Sequence, residues 1–381
     1  MSIPGRLLDD EQRLDWLQLS RSENVGPVLF FQLVNRFGSA AAALEALPDI
    51  SRRAGRREPV RIYPRERAMA DMERADRIGA RFVARGEAGY PPLLRHVAGP
   101  PPLLCIRGRA EVAMMPPLAI VGSRNASVPG LKFARRIAAD VGRAGYAIVS
   151  GLARGIDTAA HEASLKTGTI AVLAGGIDHV YPRENARLME EIAERGLLVT
   201  EMTPGTAPRA EFFPRRNRIV SGISFGVLVV EAAFRSGSLI TARLAGEQGR
   251  EVFAAPGSPM DPRAAGTNRL IRDGATMVTE AAHILEVLAP MTATPLPEAA
   301  PMRGPGNGLD EILSDATPSR DVPEDLYGRL LSLLGPVPAT VDDLIRESGH
   351  PAADVLAALM DLELSGTIRR DPTGTLTLAD A

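Results

Sequence analysis

Five short segments concentrate glycine, serine and arginine, the residue types that hold phosphate. In Val121-Gly-Ser-Arg124, Gly122 lets the backbone turn, Ser123 can donate to a phosphate oxygen and Arg124 can grip one bidentately. In Ser150-Gly-Leu-Ala-Arg-Gly-Ile-Asp157, Gly151 and Gly155 open a helix start whose amides would face an anion, with Ser150 and Arg154 beside them. Ala174-Gly-Gly-Ile-Asp178 offers Gly176 and Ile177 and leads into Tyr181-Pro-Arg-Glu-Asn185. Phe212-Phe-Pro-Arg-Arg-Asn-Arg218 is the densest basic group, and its spacing leaves open which of Arg215, Arg216 and Arg218 meets a phosphate. Arg235-Ser-Gly-Ser-Leu-Ile-Thr241 supplies Ser236, Gly237 and Ser238. Each segment alone is an ordinary strand-to-helix turn. Their conjunction implies a crevice that binds anions.

Bond-making chemistry has less support. No segment sets a nucleophile beside a base, and neither GxxxxGK[ST] nor GxGxxG occurs. Asp178 and Glu231 are the carboxylates a hydrolase would use, although carboxylates at such turns more often orient amides or arginines. His161 follows Asp157 by four residues, the spacing of a helix cap and its neighbour. Five histidines and the single Cys105 are scattered, which excludes an intrachain disulfide and leaves no zinc-type cluster. The expectation is a protein without metal, cofactor or catalytic residue.

The elements that carry these segments read as alternating strand and helix. Brief, nearly continuous apolar runs at 118–121, 147–150, 170–173, 197–200, 226–231, 251–255 and 275–278 have the pattern of strands buried on both faces. Helical stretches at 131–143, 157–166, 185–195 and 239–248 separate them. The alternation predicts an α/β fold, a mostly parallel sheet with helices on both faces, whose ligand crevice lies beyond the carboxyl ends of the strands. The five segments all follow strands.

Composition breaks at Gly99-Pro-Pro-Pro102 and across the Pro-, Ala- and Gly-rich stretch 291–323 divide the chain. The reading is a helical domain over 1–98, the α/β domain over 99–290, a linker over 291–323 and a last domain over 324–381. In the first, Asn24-Val-Gly-Pro27 resembles the hairpin of helix-hairpin-helix and SAM-like modules. In the last, helices at 325–334, 341–348 and 352–365 followed by a hairpin around Pro372 to Gly374 suggest a winged helix. Its third helix carries Asp354, Asp361 and Glu363 and no base, which repels phosphate, so only Arg369 and Arg370 speak for DNA there and a protein-interaction role is favoured. Residues 301–381 hold 6 basic against 14 acidic side chains, a sum of −8 that hides a mildly basic body. No apolar run reaches the ~18 residues of a membrane span, and Asp9, Asp10 and Glu11 interrupt any signal-like start, so a cytoplasmic protein with no membrane partner is expected.

Taken in order, IVGSR, SGLARGIDTAAHEASL, YPREN, FPRRNRIVSG, VLVVEAAFRSGSLITARLAGEQGREVFAAPG and AGTNRLIRDGA resemble the DNA-processing protein A family, also called Smf, over about residues 118–288. The resemblance implies a non-enzymatic, extended Rossmann domain that binds single-stranded DNA, protects incoming DNA in natural transformation, loads the RecA recombinase and forms a homodimer. Carried over, the family's DNA pocket falls on Arg124, the Gly175–Asp178 loop, the region up to Phe213 and the Ser236–Ser238 turn, with Phe213 placed to stack on a base. One departure shows: Pro204–Glu211 offers only Arg209 where a basic contact belongs. The rival reading is a nucleotide-processing hydrolase of a related Rossmann family, which would carry a PGGxGT-type loop where this chain reads Arg235-Ser-Gly-Ser-Leu-Ile-Thr241.

Overall fold

Four helices open the computed structural model, which describes residues 8–54, 56, 58–293, 322–335, 337–371 and 374–379. α1 (Asp10–Arg21) starts at a capping box in which Asp9 and Gln12 each accept the other's backbone N–H. α2 (Pro27–Phe37) begins on a proline, whose missing N–H costs nothing in a first turn, and ends at Gly38. α3 (Ala40–Arg53) is capped by Ser39, and α4 (Arg65–Arg77) follows.

The chain then enters a nine-stranded sheet. Its strands are β1 (Ala80–Ala84), β2 (Leu103–Gly108), β3 (Pro117–Gly122), β4 (Ala147–Ser150), β5 (Thr169–Val172), β6 (Leu197–Thr200), β7 (Gly226–Val230), β8 (Glu251–Ala254) and β9 (Thr276–Met277). Between them lie α5 (Val128–Arg143), α6 (Ile156–Ser164), α7 (Ala186–Arg195), α8 (Phe212–Ile223), α9 (Gly237–Glu247) and α10 (Ala265–Arg272), and α11 (Ala281–Ala293) closes the segment. The seven strands read from the sequence all form, parallel to one another, because each exposes apolar side chains on both faces and helices must cover both. Leu118, Ala119 and Ile120 of β3 are completely buried, one face of the sheet packing on α8 and α9 and the other on α5, α6 and α11.

Spatial order is β1-β2-β6-β5-β4-β3-β7-β8-β9. From β3 the chain steps outward through β4, β5 and β6, then α8 returns it to the other side of β3 as β7. Strand order therefore reverses between β3 and β7, and their carboxyl ends diverge there into opposite connections. This is the topological switch point at which open α/β sheets hold their ligands.

The structure differs from the sequence reading at the front of the sheet. Residues 1–98 do not form helices alone: β1 and β2 pair antiparallel, Phe82 opposite Cys105, and β2 pairs antiparallel with β6. Arg81 and Arg107 dilute these two apolar runs, and the prolines between them read as a boundary.

Residues 71–97 and 103–293 make one compact unit; residues 8–70, 98–102 and the described residues from 322 onward make another. The second unit contains α1 to α3 and also α12 (Glu324–Leu333), α13 (Val341–Ser348), α14 (Ala352–Ser365) and the antiparallel hairpin of β10 (Ile368–Arg370) and β11 (Leu376–Leu378). Three helices and a two-stranded wing form as expected. Residues 294–321 of the linker, and Pro372 and Thr373 at the hairpin, lie outside the described residues.

Candidate nucleic-acid interface

A cavity of about 570 Å³ opens at the switch point. One wall is Val121–Asn125 after β3, and the facing wall is Ala233 and Arg235–Ser238 after β7. Its floor is Ala153 and Asp157 together with one face of α8. Three arginines line it, Arg124, Arg216 and Arg235, against the single carboxylate of Asp157. A low-dielectric concavity with this excess of positive charge draws anions.

Helical periodicity sorts the basic segment. Phe213, Arg216, Asn217 and Val220 stand at i, i+3, i+4 and i+7 of α8, share one face and all line the cavity. Arg215 falls on an exposed face. Arg218 leaves in a third direction, its Nη2 donating to both carboxylate oxygens of Glu201 at 2.6 and 2.7 Å. Of the three arginines the sequence left undivided, Arg216 is the one in the crevice wall.

Arg216 is buried, donates from Nη1 to the Val172 carbonyl at 3.3 Å, and has no hydrogen-bond partner at Nε. Only glycine at 151 admits it, since a Cβ there would sit 1.3 Å from Arg216 Nη1. Burial lowers the guanidinium from its ordinary value, and the charge of Asp157 opposes that shift. Burial likewise pushes the Asp157 carboxyl up, against Arg216 and two amides. His161 is fully buried beneath them, with Nδ1 at 2.7 Å from Thr169 Oγ1, and burial drives its pKa down to about 3.

Around Phe213 the aromatic geometry is specific. The Arg124 guanidinium lies 5.2 Å from the ring centroid and that of Arg216 6.0 Å, both within cation–π range. Tyr181 meets the ring edge-on, with centroids 5.5 Å apart and planes at 64°. Phe213 is only partly buried and Tyr181 is 46% exposed, so an aromatic corner stands open at the rim.

The backbone amides divide into those already used and those still open. In the 151–157 turn, Asp157 Oδ2 accepts from Gly151 N at 3.1 Å and Ala153 N at 3.3 Å, while Ile156 N donates to the Ser123 carbonyl. Gly155, at φ +78°, packs so closely on that carbonyl that a Cβ would be 2.3 Å from it. In the 175–178 loop, Gly176 N donates to the Thr206 carbonyl and Asp178 accepts from Gly205 N at 2.8 Å, with Arg74 Nη2 2.6 Å from its other oxygen. Burial raises the Asp178 carboxyl, but the Gly205 amide, its own amide and the Arg74 guanidinium outweigh that and hold it below its usual range. At the start of α9 the space in front of Gly237 is open, and Ser236 and Ser238 hydroxyls lie 2.7 Å apart beside it. Ser236 caps the helix, its hydroxyl accepting from Ser238 N at 3.4 Å and its carbonyl from Leu239 N at 3.1 Å, and the positive end of α9 faces the cavity.

Glu231 does structural work. Held at φ +53°, a backbone region unfavourable to any side chain, it accepts from the Ser127 amide at 2.8 Å and from the Ser127 hydroxyl, fixing the start of α5 to the end of β7. Asp178 and Glu231 thus orient amides and an arginine, the alternative that sequence reading set against a hydrolase.

Gly122, Ser123, Arg124, Phe213, Arg216, Ser236, Gly237 and Ser238 are brought together in one cavity. Gly151 borders an adjoining slot together with Gly175, Tyr181 and Phe213. Ser150 and Ile177 are fully buried, Ser150 donating to the Ile120 carbonyl at 2.6 Å. Arg154 and Arg209 are exposed, 3.8 Å from Glu184 and 4.0 Å from Glu211. Lining residues absent from the sequence-derived set include the polar Asn125, Asn217 and Arg235, and Tyr181 stands at the rim. Arg235 follows β7 directly, and Asn217 is one residue beyond Arg216 on the same helical face, so position after a strand and helical spacing would have found both.

Comparison with known proteins agrees with this architecture. The family described as DNA recombination-mediator protein A matches residues 81–289, a DprA-like N-terminal HHH domain matches 10–74 and a DprA winged helix domain matches 314–374. Protein Smf of Escherichia coli is 41% identical over 295 residues, covering 77% of this chain and 76% of the relative. DNA processing protein DprA of Bacillus subtilis is 39% identical over 288 residues, covering 74% and 92%. The X-ray structure of DNA processing protein A from Streptococcus pneumoniae superposes with a TM-score of 0.61 at 34% identity, covering 74% of this chain and 98% of that one. DNA processing protein A from Helicobacter pylori, whose single-stranded DNA binding mode has been described structurally, superposes at 0.52 with 28% identity, covering 56% and 96%. The chain belongs to the DNA recombination-mediator protein A family, with its helical N-terminal domain, α/β sheet domain and winged-helix domain all present.

Proposed function

We propose that this protein binds single-stranded DNA in the switch-point crevice and hands it to the RecA recombinase, without making or breaking bonds, in natural transformation. The carrying observation is the partly exposed Phe213 ring flanked by Arg124, inside a cavity whose charged lining is three arginines to one buried aspartate. Phosphates would lie on Arg124, Arg235 and the start of α9 beside Gly237, with Arg216 Nε available beneath them. A base would stack on Phe213, a contact tolerant of sequence. The single-stranded DNA bound by the Helicobacter pylori relative supports this choice of ligand. A homodimer would let neighbouring copies cover a strand together.

Titration of a labelled oligothymidine at several salt concentrations tests the reading. If about four to six phosphates are neutralised, log K falls with log salt at a slope near about −3 to −4. Equal affinity for a duplex of the same length would overturn the single-strand assignment. Light scattering checks the dimer: a mass of one chain at micromolar concentration removes it.

A further inference from the structure

The third helix of a winged-helix or helix-turn-helix domain is the element that ordinarily enters the major groove. Here that element, α14, is largely withdrawn from solvent. None of its fourteen residues is exposed and nine are buried. Its sequence, AADVLAALMDLELS, is apolar on almost every face, the pattern of a helix covered all round. α12, α13 and the wing cover only part of it. The rest packs against α3 and α2, the N-terminal helices in the same compact unit.

The contact is keyed by charge. Asp361, at the middle of α14, accepts from Arg36 Nη1 at 2.7 Å on one oxygen and from the Tyr327 hydroxyl at 2.6 Å on the other. The side chains of Arg36 and Asp361 are each 1% exposed. At the far end of α14, Asn24 Nδ2 donates to the Leu364 carbonyl at 2.9 Å. Ala54, just beyond α3, belongs to the same apolar cluster as Leu326, Val355 and Leu359. A buried ion pair costs desolvation on both sides, so an apolar surface would hold the helix at least as strongly; what the pair adds is a single register. A nucleic acid is a poor rival occupant. Besides Asp361, α14 carries Asp354 and Glu363, and Glu363 is already engaged by Arg370 at 2.9 Å.

We propose that α14 is a docking element whose partner is the N-terminal helical module of the same chain, so that the winged-helix domain braces that module and does not read DNA through its third helix. The Arg36–Asp361 pair sets the register of the docking. This inference stands apart from the crevice and survives whatever the crevice binds.

Amide hydrogen exchange on the full-length chain tests it in both directions. Asp361→Ala should speed exchange across residues 27–53 by about tenfold or more and leave α5 and α6 unchanged, because the loss of docking is local to one unit. Arg36→Ala should speed exchange across 352–365 in the same way. The double variant Arg36→Met with Asp361→Leu, which replaces the pair by apolar groups, should restore protection to within a few fold. Unchanged exchange over 27–53 in folded Asp361→Ala overturns the proposal. Should the single variants fail to fold, the wild-type chain decides: saturating 20-bp duplex DNA should leave exchange of α14 unaltered, and protection of α14 by duplex with loosening of 27–53 would overturn it.

Discussion

Arg36 and Arg124 are the same side chain in opposite settings. Arg36 is sealed in the second unit with a carboxylate 2.7 Å away. Arg124 is exposed at the crevice and rests on an aromatic face, with no ion pair among the described residues. A buried guanidinium matched to an internal acid spends its charge on position. An unmatched one over a ring keeps its hydrogen-bonding fork for an anion from outside. The contrast extends along α8, where Arg218 is consumed by Glu201 while Arg216 reaches the cavity. Counting arginines therefore says little about DNA binding until their internal partners are known.

The largest expected effect lies on the matched side. Asp361→Ala removes the buried carboxylate that both Arg36 and the Tyr327 hydroxyl engage and should cost about 3–5 kcal/mol of stability in urea unfolding. Arg124→Ala should stay within about 0.5 kcal/mol in the same assay. Similar losses for the two variants would break the comparison.

Next comes Phe213→Ala, which should weaken oligothymidine binding by about 1–3 kcal/mol through lost stacking and leave the salt slope unchanged. Retained affinity would make the ring a plug in the crevice wall.

His161 sharpens the line between the structural floor of the crevice and its open rim. Unfolded, the imidazole takes up a proton near its ordinary pKa of 6.5; folded, it resists until about pH 3. The unfolded state therefore binds more protons between those values. Stability is fully present above about pH 6.5 and falls with acidification at up to about 1.4 kcal/mol per pH unit. His161→Gln should flatten that fall between pH 6.5 and 5, and an unaltered acid limb would assign it to carboxylates.

The smallest effect is Arg124→Ala on binding. Affinity should drop a few fold for every sequence alike, and the salt slope should become shallower by about 0.7, one phosphate on a single strand. An unchanged slope would place Arg124 among the structural arginines beside Arg36.

Much of this was legible in the sequence because the relevant signals are local. Buried parallel strands write themselves as unbroken apolar runs, and the turns after them carry the polar groups, so β3 to β9 and the loops at 122–124 and 236–238 could be read directly. Hydrogen bonding between loops is not local. The amides of Gly151 and Gly176 look open in the sequence, yet Asp157 and the Thr206 carbonyl occupy them. β1 and β2 escaped because the chain leaves the sheet unit at 98–102 and returns, which the prolines alone present as a boundary. The Arg36–Asp361 contact joins residues 325 positions apart, and no periodicity encodes it. Acid in α14 argued against phosphate there; it could not name what the acid faced.

The ends of the sheet bear on how copies of the protein can associate. β9 offers two residues, Thr276–Met277, and four of the five residues of β1 are buried at the opposite margin. An unpaired strand long enough to template another would invite indiscriminate polymerisation through backbone hydrogen bonds. With both margins blunted, a proposed assembly of copies on DNA would meet through side chains, where a single substitution can tune the contact, and not by extending a common sheet.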